Sequence, residues 1–168
     1  MADSSGVPIL TGKQIFGITN VSLFEVSGFM IRNTLTSTPN FSVFSHHLDN
    51  SPIQVKDVAN VVLSNNTFTG HNALTNGSCF TGNPGTLTVS NCSFIANNGI
   101  SCFDTNNNLL LGTLAPIAVF STNLVTVTNS IFRSNRATGN SAGIYVSSML
   151  TTSQVVVSDC IFESNYSK

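Results

Sequence analysis

Seven carboxylates, three histidines and four cysteines carry most of the chemistry this 168-residue chain can offer. Asp3, Glu25, Asp49, Asp57, Asp104, Asp159 and Glu163 are scattered along it without a paired-Asp motif. General acid–base work needs such groups held within hydrogen-bond reach of one substrate, and this spacing argues against it. His46, His47 and Asp49 form the one grouping with metal-ligand character. Neighbouring residues on a strand point to opposite faces, and no fourth ligand is obvious. A polar loop is therefore the plainer reading, and no metal or cofactor is expected. His71 stands alone and is placed at a corner.

The cysteines say more. Cys79 and Cys102 sit in matching phrases, Asn76–Gly77–Ser78–Cys79–Phe80 and Asn98–Gly99–Ile100–Ser101–Cys102–Phe103. On consecutive coils of a stacked structure, about 4.8 Å apart, the pair meets the distance requirement of a disulfide. Cys92 and Cys160 share a repeat position but fall two coils apart, too far to bridge. Plain burial as small apolar fillers is the alternative for all four.

What must position these groups is a repeated phrase: two alternating apolar residues, a small polar corner, then one large apolar residue. It occurs as Phe24–Val26–Gly28–Ile31, Val61–Leu63–Asn65–Phe68, Leu87–Val89–Asn91–Phe94, Val125–Val127–Asn129–Phe132 and Val155–Val157–Asp159–Phe162. A period of two with β-branched residues marks a half-buried strand. Pro52–Ile53–Gln54–Val55, Pro116–Ile117–Ala118–Val119 and Phe16–Gly17–Ile18 precede the large residue by a common distance and give a second strand. A third is read at Phe41–Ser42–Val43–Phe44, Ser78–Cys79–Phe80, Ile100–Ser101–Cys102–Phe103 and Ile144–Tyr145–Val146.

The copies recur at 37, 26, 38 and 30 residues, counted between the large apolar positions. Constant strands with variable corners mean that strands stack and corners absorb insertions. The fold class is all-β: a right-handed parallel β-helix of about five coils, with up to three short strands per coil. Phe68, Phe94, Phe132 and Phe162 should form an aromatic column. Asn65, Asn91, Asn129 and Asp159 are read as an inward asparagine ladder. The chain 1–168 is one β-helix segment with loop insertions near 34–51 and 104–116. Its last copy stops in mid-repeat, so it is read as a piece of a longer repeat protein.

Only 8% of the residues are charged and the formal net charge is -1. Nothing here attracts nucleic acid electrostatically, and no segment is long and apolar enough to span a bilayer. Sequons begin at Asn20, Asn40, Asn65, Asn76, Asn91 and Asn165 and permit glycosylation in a eukaryotic secretory route, though in a chain so rich in Asn, Ser and Thr chance alone can supply most of them.

The phrase Phe-x-x-Asn returns as Phe94–Ile95–Ala96–Asn97, Phe132–Arg133–Ser134–Asn135 and Phe162–Glu163–Ser164–Asn165. It resembles the repeat of the chlamydial polymorphic outer-membrane proteins, within the wider pectin-lyase-like β-helix superfamily. That family's Gly-Gly-Ala motif survives here only as Ser141–Ala142–Gly143–Ile144. After Phe68 the chain reads Thr69–Gly70–His71–Asn72, one residue out of phase, and Ile31 replaces the Phe of the first coil. The resemblance implies a secreted or surface-exposed adhesin passenger, or an extracellular structural element, with no catalytic residues to transfer. A polysaccharide-acting enzyme is the alternative the superfamily supplies, and a self-assembling filament subunit is a third.

Recognition is expected on loops and outer faces. His46, His47 and Asp49 lie in one insertion, and Leu109, Leu110, Leu111 and Leu114 in the other. Those leucines are too apolar for an idle loop: they bind a partner or fold back over the sheet. Outward hydroxyls at Ser64, Thr88, Ser90, Thr126, Thr128 and Ser158 form a flat stripe, interrupted by Glu25, Val62 and Val156, for which a solvated sheet face is the plainer reading. The expected partners are a host-cell or matrix protein or glycan, or copies of the chain stacked end to end through open strand edges.

Overall fold

A computed structural model of the chain describes residue 2 and residues 4–11, 15–32, 51–73, 78–99, 102–103, 109–110, 115–137, 141–147 and 152–167, with backbone alone at 11, 72, 73, 99, 102, 103, 109 and 110. Four parallel sheets wrap a common core. Sheet I stacks Phe16–Thr19, Ile53–Lys56, Phe80–Gly82, Ile117–Phe120 and Ile144–Ser147. Sheet II stacks Leu23–Ser27, Asn60–Ser64, Thr86–Ser90, Leu124–Thr128 and Gln154–Ser158. Sheet III holds Ile9–Thr11, Met30–Arg32, Thr67–Thr69, Ser93–Ile95, Ile131–Arg133 and Ile161–Glu163. Sheet IV adds two-residue strands at Asn72–Ala73, Asn98–Gly99, Arg136–Ala137 and Tyr166–Ser167. From the second coil to the fourth the chain therefore runs I, II, III, IV and returns to I, and the fifth coil repeats the order I to IV. This is the expected parallel β-helix, its three main walls closed by a short fourth.

Sheet II shows why these residues stack. Thr86, Leu87, Thr88, Val89 and Ser90 alternate between half-buried and buried. They lie level with Leu124–Thr128 on one side and Asn60–Ser64 on the other. Inward columns follow from that register: Val61, Leu87 and Val125 form one, and Leu63, Val89 and Val127 another, all fully buried. A one-residue slip would turn every one of them to solvent, so the apolar pattern fixes the alignment.

On sheet III the large apolar residues pile up as expected. Phe68, Phe94, Phe132 and Phe162 stack with ring centroids 4.9, 4.7 and 4.8 Å apart and nearly parallel planes. Ile31 sits level with Phe68 on one side and Leu10 on the other, continuing this column. Strand spacing sets the ring spacing, so coil pitch and aromatic contact agree.

Two expectations change in detail. Ser78–Cys79–Phe80 and Ile144–Tyr145–Val146 do not open a separate sheet. Phe80 pairs with Ile53 and Ile117, and Ile144 pairs with Ile117, so both phrases belong to sheet I. The common distance to the Phe position hid this, because the linkers after Phe80 and Ile144 differ in length.

The asparagine ladder exists, but in another column. Asn65, Asn91, Asn129 and Asp159 are exposed and have φ between +47° and +56°. Each makes the sharp left-handed corner between sheets II and III, a conformation Asn and Asp tolerate better than most residues. The buried ladder is formed by the Asn of Phe-x-x-Asn. Asn97 Nδ2 donates to the Phe68 carbonyl at 3.1 Å, Asn135 Nδ2 to that of Phe94 at 2.9 Å, and Asn165 Nδ2 to that of Phe132 at 2.7 Å. In return, Oδ1 of Asn135 accepts the backbone N–H of Asn97, and Oδ1 of Asn165 that of Asn135, each at 3.0 Å.

His71 is in phase after all. Its backbone N–H donates to Asn97 Oδ1 at 3.1 Å, as a ladder residue should. Gly70 takes the positive φ held by Ala96, Ser134 and Ser164 in later coils. Replacing Phe94 by Ala would remove a ring stacked on both faces. A loss of about 3–5 kcal/mol is expected, read as a lower urea midpoint with an unchanged slope.

Candidate functional site

Sheet I turns one row of side chains outward, and its coil-to-coil register decides which of them meet. Gln54 lies level with Gly17 and Thr81, and Lys56 with Thr19. Beyond Gly82 the chain leaves the sheet, and Asn83 reaches back to the second coil. Its Nδ2 donates to the Asp57 carboxylate at 3.1 Å, while its Oδ1 accepts the Asp57 backbone N–H at 3.2 Å. This reciprocal pair fixes the Asn83 amide in place.

The result is an open groove of about 700 Å³ crossing four coils, lined by Gly17, Gln54, Lys56, Thr81, Asn83 and Phe120 among others. Phe120 packs against Tyr145 with ring centroids 6.1 Å apart, giving the groove an aromatic wall at one end. Gly82 shapes the floor. A Cβ there would run into the backbone and side chain of Val55, so only glycine lets the third coil sit this close. Amides, hydroxyls, one lysine and one ring can hydrogen-bond and stack a polar ligand. Sequence reasoning missed this site, because the alternation that points Gln54 outward becomes a groove only once Phe80–Gly82 is placed beside Ile53–Lys56.

Of the residues the sequence nominated, His46, His47, Asp49, Leu111 and Leu114 lie outside the described residues. Leu109–Leu110 forms a short antiparallel pair with Cys102–Phe103, Cys102 opposite Leu110 and Phe103 opposite Leu109. This stretch folds back on itself. The hydroxyl stripe is present on sheet II, where Ser27, Ser64, Ser90, Thr128 and Ser158 lie level on all five strands. Glu25, Val62, Thr88, Thr126 and Val156 form the row beside it.

Among the described residues no group of His, Cys, Asp and Glu could hold a metal ion. No helix of the described residues is long and apolar enough to cross a membrane. A second hollow, about 550 Å³, is the uncovered end of the barrel beside Val155, Val157 and Phe162. There Phe162 is 51% exposed, whereas Phe132 above it is completely buried.

The chain matches the family described as a right handed beta helix region, over residues 5–168. No curated protein and no solved structure matches the chain.

Cys79 is a free, fully buried thiol, so the expected bridge to Cys102 is not made in this structure. Register supplies the reason. Ile53 and Ile117 flank Phe80, which places Pro52 and Pro116 beside Cys79, while Cys102 belongs to the antiparallel excursion. Burial pushes the Cys79 thiol far above the usual range, only partly offset by the nearby Ser78 hydroxyl. Cys92 is pushed up to about 11, again by burial, against opposing hydrogen bonds to Asn66 and Ser90. It shares a column with Ser130, whose Oγ accepts the Cys92 backbone N–H at 3.1 Å; Cys160 follows one coil later. Since only the thiolate reacts, maleimide treatment of the native protein at pH 7.5 should modify the half-buried Cys160 well before Cys79 or Cys92, read by peptide mass spectrometry.

Proposed function

Because this chain belongs to the right-handed β-helix family, we propose that it is a non-catalytic recognition scaffold, secreted or displayed at a cell surface, that binds a glycan of another cell or of a matrix along the sheet I groove. The groove carries this reading. It is open, and it presents the fixed Asn83 amide, Gln54 and Lys56 beside the exposed part of Phe120. Planar amides match neighbouring sugar hydroxyls, and an aromatic face suits the apolar side of a pyranose ring. A protein partner would need a broad patch, of the order of 800 Å² per side. The resemblance of the Phe-x-x-Asn repeat to adhesin passengers points to the same surface role.

The alternative of polysaccharide cleavage needs acid and base groups converging on the bound chain, and function has to be argued from such a site and not from the fold. The carboxylates among the described residues with defined side chains stand apart. Glu25 is on the outer face of sheet II, Asp57 at the corner leaving sheet I, Asp159 at the next corner, and Glu163 on sheet III. Asp57 accepts from Asn83, and Glu163 pairs with Arg133 at 2.7 Å. That arrangement favours binding without turnover.

A glycan array probed with the purified chain is the test. Retention of a defined oligosaccharide is expected, with Phe120→Ala weakening it about tenfold or more, roughly 1.4 kcal/mol. The same oligosaccharide incubated with the protein should show no new reducing or unsaturated ends. A bare array, or equal binding by the Phe120→Ala variant, would remove the groove from consideration.

A further inference from the structure

The buried ladder contains one member that can titrate. Asn97, Asn135 and Asn165 each tie their coil to the one before through an amide that stays neutral at every pH. In the second coil that position is His71, whose Nε2–H donates to the Ile31 carbonyl at 3.0 Å. The ring is 1% exposed and lies 6.5 Å from that of Phe68. We propose that His71 is an acid-sensitive latch that lets the first coil, residues 16–32, part from the stack at low pH while later coils hold.

The geometry gives three reasons. First, the Ile31 carbonyl that receives the bond belongs to the first coil, so His71 is covered by the element the proposal releases. Second, an imidazolium here must place a second N–H, and the described groups around the ring offer it no negative charge. Asn97 and Phe68 are neutral. Arg32, beside Ile31, is a cation on the outer face of sheet III, and Arg136 lies on sheet IV two coils further on. No carboxylate among the described residues faces the ring. Third, the other hydrogen bonds that tie the first coil to the second among the described residues are neutral and indifferent to pH. They include Phe29 N–H to Asn66 Oδ1 at 3.0 Å and Asn66 Nδ2 to the Val26 carbonyl at 2.7 Å.

Burial lowers the His71 pKa from 6.5 to about 4, partly opposed by the bond to Ile31. The opened form, with an ordinary imidazole, binds more protons between these two values. Closure is therefore fully favoured above pH 6.5 and weakens as pH falls toward 4. Opening should increase roughly 50-fold from pH 7 to pH 4.5. Because neighbour contacts hold a solenoid together, coils can part at one weakened contact without the rest opening.

Hydrogen exchange at pH 7 and pH 4.5, corrected for intrinsic rates, tests the latch. Wild-type peptides within 16–32 should lose protection by the stated factor, while peptides within 124–133 hardly change. His71→Asn, which installs the residue of the later coils, should abolish the difference. An acid response equal in wild type and variant, or spread evenly over all coils, would overturn the proposal. If the variant does not fold, the His71 ring signal of the wild type decides by NMR: titration well below pH 5.5 supports the latch, and titration near 6.5 refutes it.

Discussion

No coil of this chain has a core of its own. Each contributes a few inward side chains, and these are dry only because the coils on either side cover them. The binding constraint is thus vertical: every apolar residue must sit directly over its counterpart one strand spacing away. Phe94 is completely buried between Phe68 and Phe132, while Phe162, chemically identical, is half-exposed where no ring covers its outer side. Burial here is a property of the neighbour.

The same constraint governs polar groups. Sharp corners leave main-chain groups inside the barrel that strand pairing cannot reach, and each would be costly if unpaired. A second set of vertical contacts supplies the partners. The Asn97–Asn135–Asn165 series uses both ends of each amide. A parallel column runs through Asn66, Cys92, Ser130 and Cys160. There the Cys92 and Cys160 thiols donate to the carbonyls of Leu63 and Val127 one coil earlier, and the Ser130 hydroxyl accepts the Cys92 backbone N–H. Charge contributes little: a single surface ion pair appears among the described residues, and such pairs are weak.

Sheets II and III were legible in the sequence because period-two alternation and the Phe positions coincide there. The ladder was harder to place, since Asn serves two needs within a few residues. At Asn65 and Asn91 it is chosen for a left-handed backbone, at Asn97 and Asn135 for its buried amide. Composition cannot separate the two; the sign of φ does. His71 escaped because an imidazole N–H can replace an amide N–H while breaking the letter pattern. The groove was hidden for a geometric reason. It draws on Gly17, Gln54, Asn83 and Phe120, which lie far apart in the chain and meet only through lateral register on sheet I.

From the second coil to the fifth, the chain keeps one length between the start of sheet II and the end of sheet IV. Asn60–Ala73, Thr86–Gly99, Leu124–Ala137 and Gln154–Ser167 superpose residue for residue in the pairing. Across those four coils variation is confined to the return path through sheet I. Such a chain is a rigid cassette joined to an adjustable margin. An engineer can lengthen, shorten or exchange the margin without asking the spiral to refold.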